Sequence, residues 1–228
     1  MSDAGSPLGA PRYRIAVLAS GRGSNLQALI DAIAGGALDA QLVGVFSDRA
    51  GAVALQRAAA AGVPAVALDP RDCASRADFD EQLFSRVDAV HPDLIVCAGY
   101  MRLICDREVE RRRGRMLNIH PSLLPAFKGL RTHAQALAAG AVEHGASVHF
   151  VTPDLDGGPV VAQARVPIHG GDDADALARR VLAREHPLLV ETVRLFAAGR
   201  VALAGDTVLL DGAPLVAPLQ LTATDRFA

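Results

Sequence analysis

RIAVLASGRGSNLQALIDAIA, residues 14–34, carries the reading of the fold. Residues 14–19 are a short apolar run of strand length, and Leu26, Leu29, Ile30 and Ile33 then recur at helical spacing over 25–34. Gly21-Arg22-Gly23-Ser24-Asn25 turns the one into the other. The alternation repeats downstream, with strands expected over 41–46, 65–68 and 94–98 and helices over 52–61 and 77–90. Ser75, with Asp78 three residues on, reads as the cap of that last helix. Such alternation predicts an α/β fold: right-handed crossovers, a Rossmann-like, mostly parallel sheet and helices on both faces.

After Tyr100 the rhythm changes. A short strand over 116–119 runs into a proline-rich loop over 120–130, followed by a helix over 133–139. Strands over 147–151 and 160–166 flank the turn-forming string Pro153-Asp154-Leu155-Asp156-Gly157-Gly158, and a long amphipathic helix covers 174–198. Asp211-Gly212 between apolar runs predicts a C-terminal β-hairpin over 201–215. Without an internal repeat or a long linker, the expected organisation is one domain over 14–228 behind a polar tail at 1–13.

Of the 228 residues 50% are hydrophobic and 21% charged, and the formal net charge is −2. That balance gives no basic surplus for a nucleic-acid partner and no single-sign excess for a membrane surface. Lys128 is the single lysine. No apolar run approaches the roughly 20 residues needed to span a bilayer. Cys73, Cys97 and Cys105 form no CxxC pair, so neither a disulfide framework nor a metal site is expected, and the chain reads as cytoplasmic.

Three strings carry chemistry. The glycine loop at 21–25 opens a helix, whose free N–H groups and positive dipole end suit a phosphate. The alternative is a plain turn with Ser24 or Asn25 as N-cap. A dinucleotide is disfavoured, because G-x-G-x-x-G requires glycine where Leu26 stands. In Asn118-Ile119-His120-Pro121, the first and third residues project to one side of a strand, so an amide and an imidazole face one cleft. Both could donate to the oxyanion of an acyl transfer. Asp156 sits in a glycine turn that is most often solvated; folded back toward His120, it would orient the ring and help move a proton. Ser147 and His149 share a strand face, and two readings of them stand, structural residues or supports of that loop.

In this order the strings resemble the phosphoribosylglycinamide formyltransferase family, the folate-dependent glycinamide ribonucleotide transformylases of purine synthesis. The likeness is carried by GRGSN at 21–25, AGYMR at 98–102, NIHPSLLP at 118–125, HGASVHFV at 144–151 and LDGGPV at 155–160. It implies Asn118, His120 and Asp156 as the catalytic trio and 10-formyltetrahydrofolate as co-substrate, with no metal. It also implies Gly23, Ser24, Asn25 and Glu185 at the ribonucleotide. For the folate it implies Arg76 at the glutamate tail, Met101, Arg102, Leu103 and Ile104 along the pocket, and Thr152 to Asp156, with Asn118, around the pterin. The implied partners are small molecules, and a homodimer is an open expectation. Two departures stand out. Pro187, just after Glu185-His186, predicts a disturbed helix there, and Cys105-Asp106 predicts a changed outer wall of the pocket.

Rival readings are a formyltetrahydrofolate hydrolase, which resembles the chain less at GRGSN and usually carries an N-terminal domain for which 1–13 leave no room. A methionyl-tRNA formyltransferase would need a further C-terminal domain. A nicotinamide-dependent oxidoreductase lacks its third glycine here, and a non-catalytic binding module leaves the trio unexplained.

Overall fold

The computed structural model describes residues 12–227. Residues 1–11 of the expected tail lie outside them, and Tyr13 already belongs to the first strand. The elements run β1 (Tyr13–Leu18), α1 (Ser24–Ala34), β2 (Ala40–Ser47), α2 (Val53–Ala60), β3 (Ala65–Ala67), α3 (Arg76–Asp88), β4 (Leu94–Cys97), α4 (Asp106–Glu110) and β5 (Met116–His120). They continue through α5 (Thr132–Ala138), β6 (Glu143–Phe150), β7 (Val160–Pro167), α6 (Ala174–Ala197), β8 (Val201–Ala204), β9 (Thr207–Leu210), β10 (Ala213–Pro214) and β11 (Leu219–Gln220).

Eight strands form the main sheet in the order β11-β7-β6-β5-β4-β1-β2-β3. Pairings from β3 to β5 are parallel, β5–β6 and β6–β7 are antiparallel, and β11 returns parallel to β7. The chain winds outward from β1 through β2 to β3, then crosses back to β4 on the other side. Loops after β1 and β4 therefore diverge at a switch point, where open α/β sheets bind ligands.

β1 shows why both faces are covered. Ile15, Val17 and Ala19 join a core with Leu26 and Leu29 of α1 and Leu177, Val181, Leu188 and Leu189 of α6. Ala16 and Leu18 point the other way, to Phe79, Leu83, Phe84 and Val87 of α3. Burying each of those large side chains contributes roughly 1.5–3 kcal/mol. Ser75 caps α3 as expected, its Oγ accepting from the Asp78 N–H at 3.1 Å, while Asp78 accepts from the Ala74 N–H at 2.8 Å. Such a cap is worth about 1 kcal/mol.

Several boundaries differ from the sequence reading. β6 begins at Glu143, four residues earlier than expected, because Gly145 lets it press onto β7. Asp211-Gly212 makes the expected two-residue turn, with φ of 52° and 81°, but it joins β9 to β10. A second turn at Gly205-Asp206 precedes it, so the C-terminal unit is a three-stranded meander. α4 and β11 were not foreseen; both are too short to show a period. Pro187 does not break the helix: α6 continues through it. The carbonyl deprived of its partner belongs to Ala183, which is exposed, so solvent can reach it.

A Cβ at Gly145 would stand 1.9 Å from the Ala164 carbonyl oxygen, and backbone cannot yield as a side chain can. Gly145→Ala should cost about 3 kcal/mol, the upper part of the usual range for point substitutions. Urea unfolding checks this, and a change below about 0.5 kcal/mol would show that β6 and β7 separate freely.

Candidate active site

Antiparallel pairing sets Asn118 directly opposite His149 and His120 opposite Ser147. Residues two apart share a strand face, so these four side chains meet on one side of the β5–β6 pair. A register shift between Val148 and His149 in the β6–β7 pairing lies beside them, a place where bulges often re-aim side chains. Asp156 arrives from the loop between β6 and β7, in the left-handed region at φ 45°.

Its carboxylate spans the group. Oδ2 lies 3.5 Å from His120 Nδ1 and accepts from the Gly129 N–H at 2.9 Å. Oδ1 lies 3.5 Å from Asn118 Nδ2 and 3.7 Å from His149 Nε2. The three residues expected to converge are thus together, and His149, left undecided by the sequence, is with them. Ser147 serves elsewhere: it accepts from the Leu124 N–H at 3.0 Å and donates to the Ser122 carbonyl at 2.7 Å, tying down the proline loop.

Hydrogen-bond logic fixes the His149 tautomer. Nδ1 faces the Phe150 carbonyl at 2.9 Å, and a carbonyl only accepts, so Nδ1 carries the proton. Nε2 is then bare and accepts from Asn118 Nδ2 at 3.2 Å, which sets the orientation of the Asn118 amide. Burial lowers the His149 imidazole to about 4, partly opposed by the Phe150 hydrogen bond and by Asp156, so the ring is neutral at neutral pH. For His120, Nε2 meets the Phe127 carbonyl at 3.1 Å, so both ring nitrogens face oxygen acceptors.

A cleft opens beside this cluster, walled by Arg102, Leu103, Ile104, Asn118 and residues 152–156. Met101 and Arg76 are not part of that wall; Met101 is 56% exposed and its N–H donates to Ser20 Oγ at 3.0 Å. Cys97, Tyr100, Val109 and the undecided His149 line the cleft too; Cys97 and Val109 were missed because they lie on elements with an ordinary packing pattern, and Tyr100 because it sits in the loop after β4. Cys105 takes the N-cap position of α4 without a side-chain cap and stays out of the wall, which Ile104 and Val109 form at that end. Burial pushes the Cys97 thiol up to about 12, which argues against a nucleophile. Lys128 is exposed, its Nζ beside Gly157 of the aspartate loop.

At the switch point Gly23 takes the N-cap position of α1 with φ 69°, and no side chain caps the helix. Neither Ser24 nor Asn25 is the plain N-cap, and the first-turn N–H groups remain available to an anion. Asn25 Nδ2 donates to Glu185 Oε2 at 2.8 Å, and burial raises the Glu185 carboxyl, the Asn25 hydrogen bond opposing. Asn25 of the glycine loop and Glu185, 160 residues apart, are therefore in direct contact. Among the described residues no cluster of three metal-ligating side chains occurs, and no helix is long and apolar enough to cross a membrane.

His149 is held below its unfolded value of 6.5, so on acidification the unfolded chain binds a proton that the fold refuses. Its contribution is complete above pH 6.5 and declines as pH falls toward 4. Urea unfolding across that window should show a steeper loss for the wild type than for His149→Gln; parallel slopes would mean that His149 titrates as an ordinary histidine.

A family model described as formyl transferase matches residues 13–193. Phosphoribosylglycinamide formyltransferase of Escherichia coli K12 is 45% identical over 212 residues, covering 93% of this chain and 99% of that protein. The solved phosphoribosylglycinamide formyltransferase of Coxiella burnetii superposes with a TM-score of 0.87 at 47% identity, covering 91% of this chain and 97% of that one. A formyltetrahydrofolate deformylase from Burkholderia mallei is also similar, at TM-score 0.78 and 29% identity, over 87% of this chain and 70% of that one.

Proposed function

The chain belongs to the formyl transferase family, and on that footing we propose that it transfers the formyl group of 10-formyltetrahydrofolate to the amine of glycinamide ribonucleotide. The products are formylglycinamide ribonucleotide and tetrahydrofolate, in de novo purine synthesis. The reading carries with it small-molecule partners, a cytoplasmic location and a homodimer as the assembly to test. The observation that supports it most is the carboxylate of Asp156 lying 3.5 Å from both the Asn118 amide and the His120 ring, at the edge of the cleft.

In this reading the α1 N-terminus, with Gly23, Ser24 and Asn25, receives the ribonucleotide phosphate, and Glu185 meets the same substrate. Arg102, Leu103, Ile104 and Thr152 line the folate side, and Met101 and Arg76 meet the parts of the folate that project from the wall. The donor set fits the group: apolar side chains for the ring faces, with polar backbone and the 152–156 loop at the edges. The folate supplies the formyl carbon. Asn118 donates an N–H to the oxygen that gains charge as the amine attacks, His120 joins it there, and Asp156 holds His120 and moves the released proton. Its 3.5 Å contacts are longer than good hydrogen bonds, so the carboxylate can adjust as reactants enter with little loss. Holding both reactants in one cleft makes their encounter effectively unimolecular.

Incubating the protein with 10-formyltetrahydrofolate and glycinamide ribonucleotide should release deformylated folate only when both are present. Release without the ribonucleotide would instead indicate a hydrolase, the chemistry of the deformylase neighbour. Asn118→Ala should lower turnover by about 10²–10³-fold, the usual scale for one lost oxyanion donor; a folded variant within a few-fold of wild type would remove Asn118 from that role. A Cβ at Gly23 would stand 2.8 Å from Ala54 Cα, at a positive φ. Gly23→Val should therefore weaken ribonucleotide binding by roughly tenfold or more, about 1.4 kcal/mol, and folate binding far less. Equal losses by calorimetry would count against a phosphate at this loop.

A further inference from the structure

His120 faces Asp156 through one ring nitrogen, and its other nitrogen has a closer partner still. Nε2 lies 3.1 Å from the Phe127 carbonyl, seven residues on, across the proline loop. Phe127 takes φ 55°, a left-handed conformation that non-glycine residues adopt only when their surroundings insist on it. Those surroundings are visible. The Phe127 ring packs edge-on against His144, with centroids 5.8 Å apart and an interplanar angle of 67°. His144 in turn meets His133 edge-on at 5.2 Å and 87°. His144 is fully buried, and neither of its ring nitrogens has a hydrogen-bond partner. Its ring serves as a packing floor, and burial, reinforced by His133 and opposed by the nearby Pro121 backbone, lowers it to about 4, so it stays neutral at neutral pH.

We propose that Phe127 is a positioning residue for the transfer: its carbonyl, held by the ring seated on His144, keeps the His120 proton on Nε2 and so leaves Nδ1 as the nitrogen that handles the reacting proton. The physical ground is that both ring nitrogens face acceptors, the Phe127 carbonyl at 3.1 Å and the Asp156 carboxylate at 3.5 Å, while a neutral ring has one proton to give; the shorter contact takes it, placing N–H at Nε2 and the lone pair at Nδ1. Nδ1 is the nitrogen on the Asp156 side, 3.5 Å from Oδ2. In the transfer the amine–carbon bond forms and the bond from that carbon to the folate nitrogen breaks. The proton lost by the amine is relayed with Asp156 to Nδ1, where the resulting N–H meets the charged oxygen, and passes from there to the departing nitrogen. Without the anchor the other tautomer becomes accessible, with its lone pair turned away from the reactants.

The inference rests on the proposed function, but its first test does not need activity. Long-range proton–nitrogen NMR of histidine-labelled wild-type protein, free of ligand, should show His120 protonated at Nε2; a ring protonated at Nδ1 alone would overturn the proposal whatever the protein's substrate. In the transfer assay Phe127→Gly, which relieves the positive φ while removing the ring, should lower kcat by roughly tenfold to a hundredfold, the scale of a misplaced catalytic group. KM for both reactants should stay within about twofold, since the groups proposed to bind them are untouched. Phe127→Tyr, which keeps the edge-on ring, should restore kcat to near wild type. A Phe127→Gly variant with unchanged kcat, or a Phe127→Tyr variant as slow as Phe127→Gly, would sink the idea. Absence of any transfer by the wild type, with Nε2–H observed, would instead reject the function and keep the anchor.

Discussion

The antiparallel register of β5 on β6 is the constraint on which the site depends. Up to β5 the sheet is parallel, and each strand end delivers its side chains separately to the C-terminal edge. Reversing direction at β6 changes this, because two short strings written at 118–120 and 147–149 then face each other residue for residue. Slipping that pairing by one position would turn one set of side chains to the opposite face of the sheet. Ser147 guards against it: tied to Leu124 and Ser122 and reached by Gln163, it fastens β6, β7 and the proline loop at one point.

Much of the architecture was legible because strands buried on both faces read as continuous apolar runs, and helices between them show their period. β1 and α1, α3 with its Ser75 cap, and α6 with its apolar stripe were all readable this way. α4, β11 and the turn at Gly205-Asp206 were not, since elements of two to five residues carry no period. Pro187 is illegible in a different way. A helix interior penalises proline through the carbonyl one turn back, and whether that carbonyl is exposed is a tertiary fact.

For the site, motif order supplied Asn118, His120 and Asp156, and the structure gathers them. It could not decide His149, because its pairing with Asn118 depends on a strand register set by residues elsewhere. Nor could it find the Phe127 carbonyl or the Gly129 N–H, since backbone groups leave no mark in side-chain letters. Glu185 shows a further limit. Its contact with Asn25 bridges 160 positions and rests on α6 lying across α1, which only the packed core determines.

Lys128 offers a practical handle. It is the single lysine, and its ammonium stands beside the aspartate loop. Apart from the chain's α-amine, an amine-directed dye would therefore find one attachment point, at the rim of the cleft. A fluorophore there would report on its surroundings as ligands come and go, without a cysteine having to be introduced.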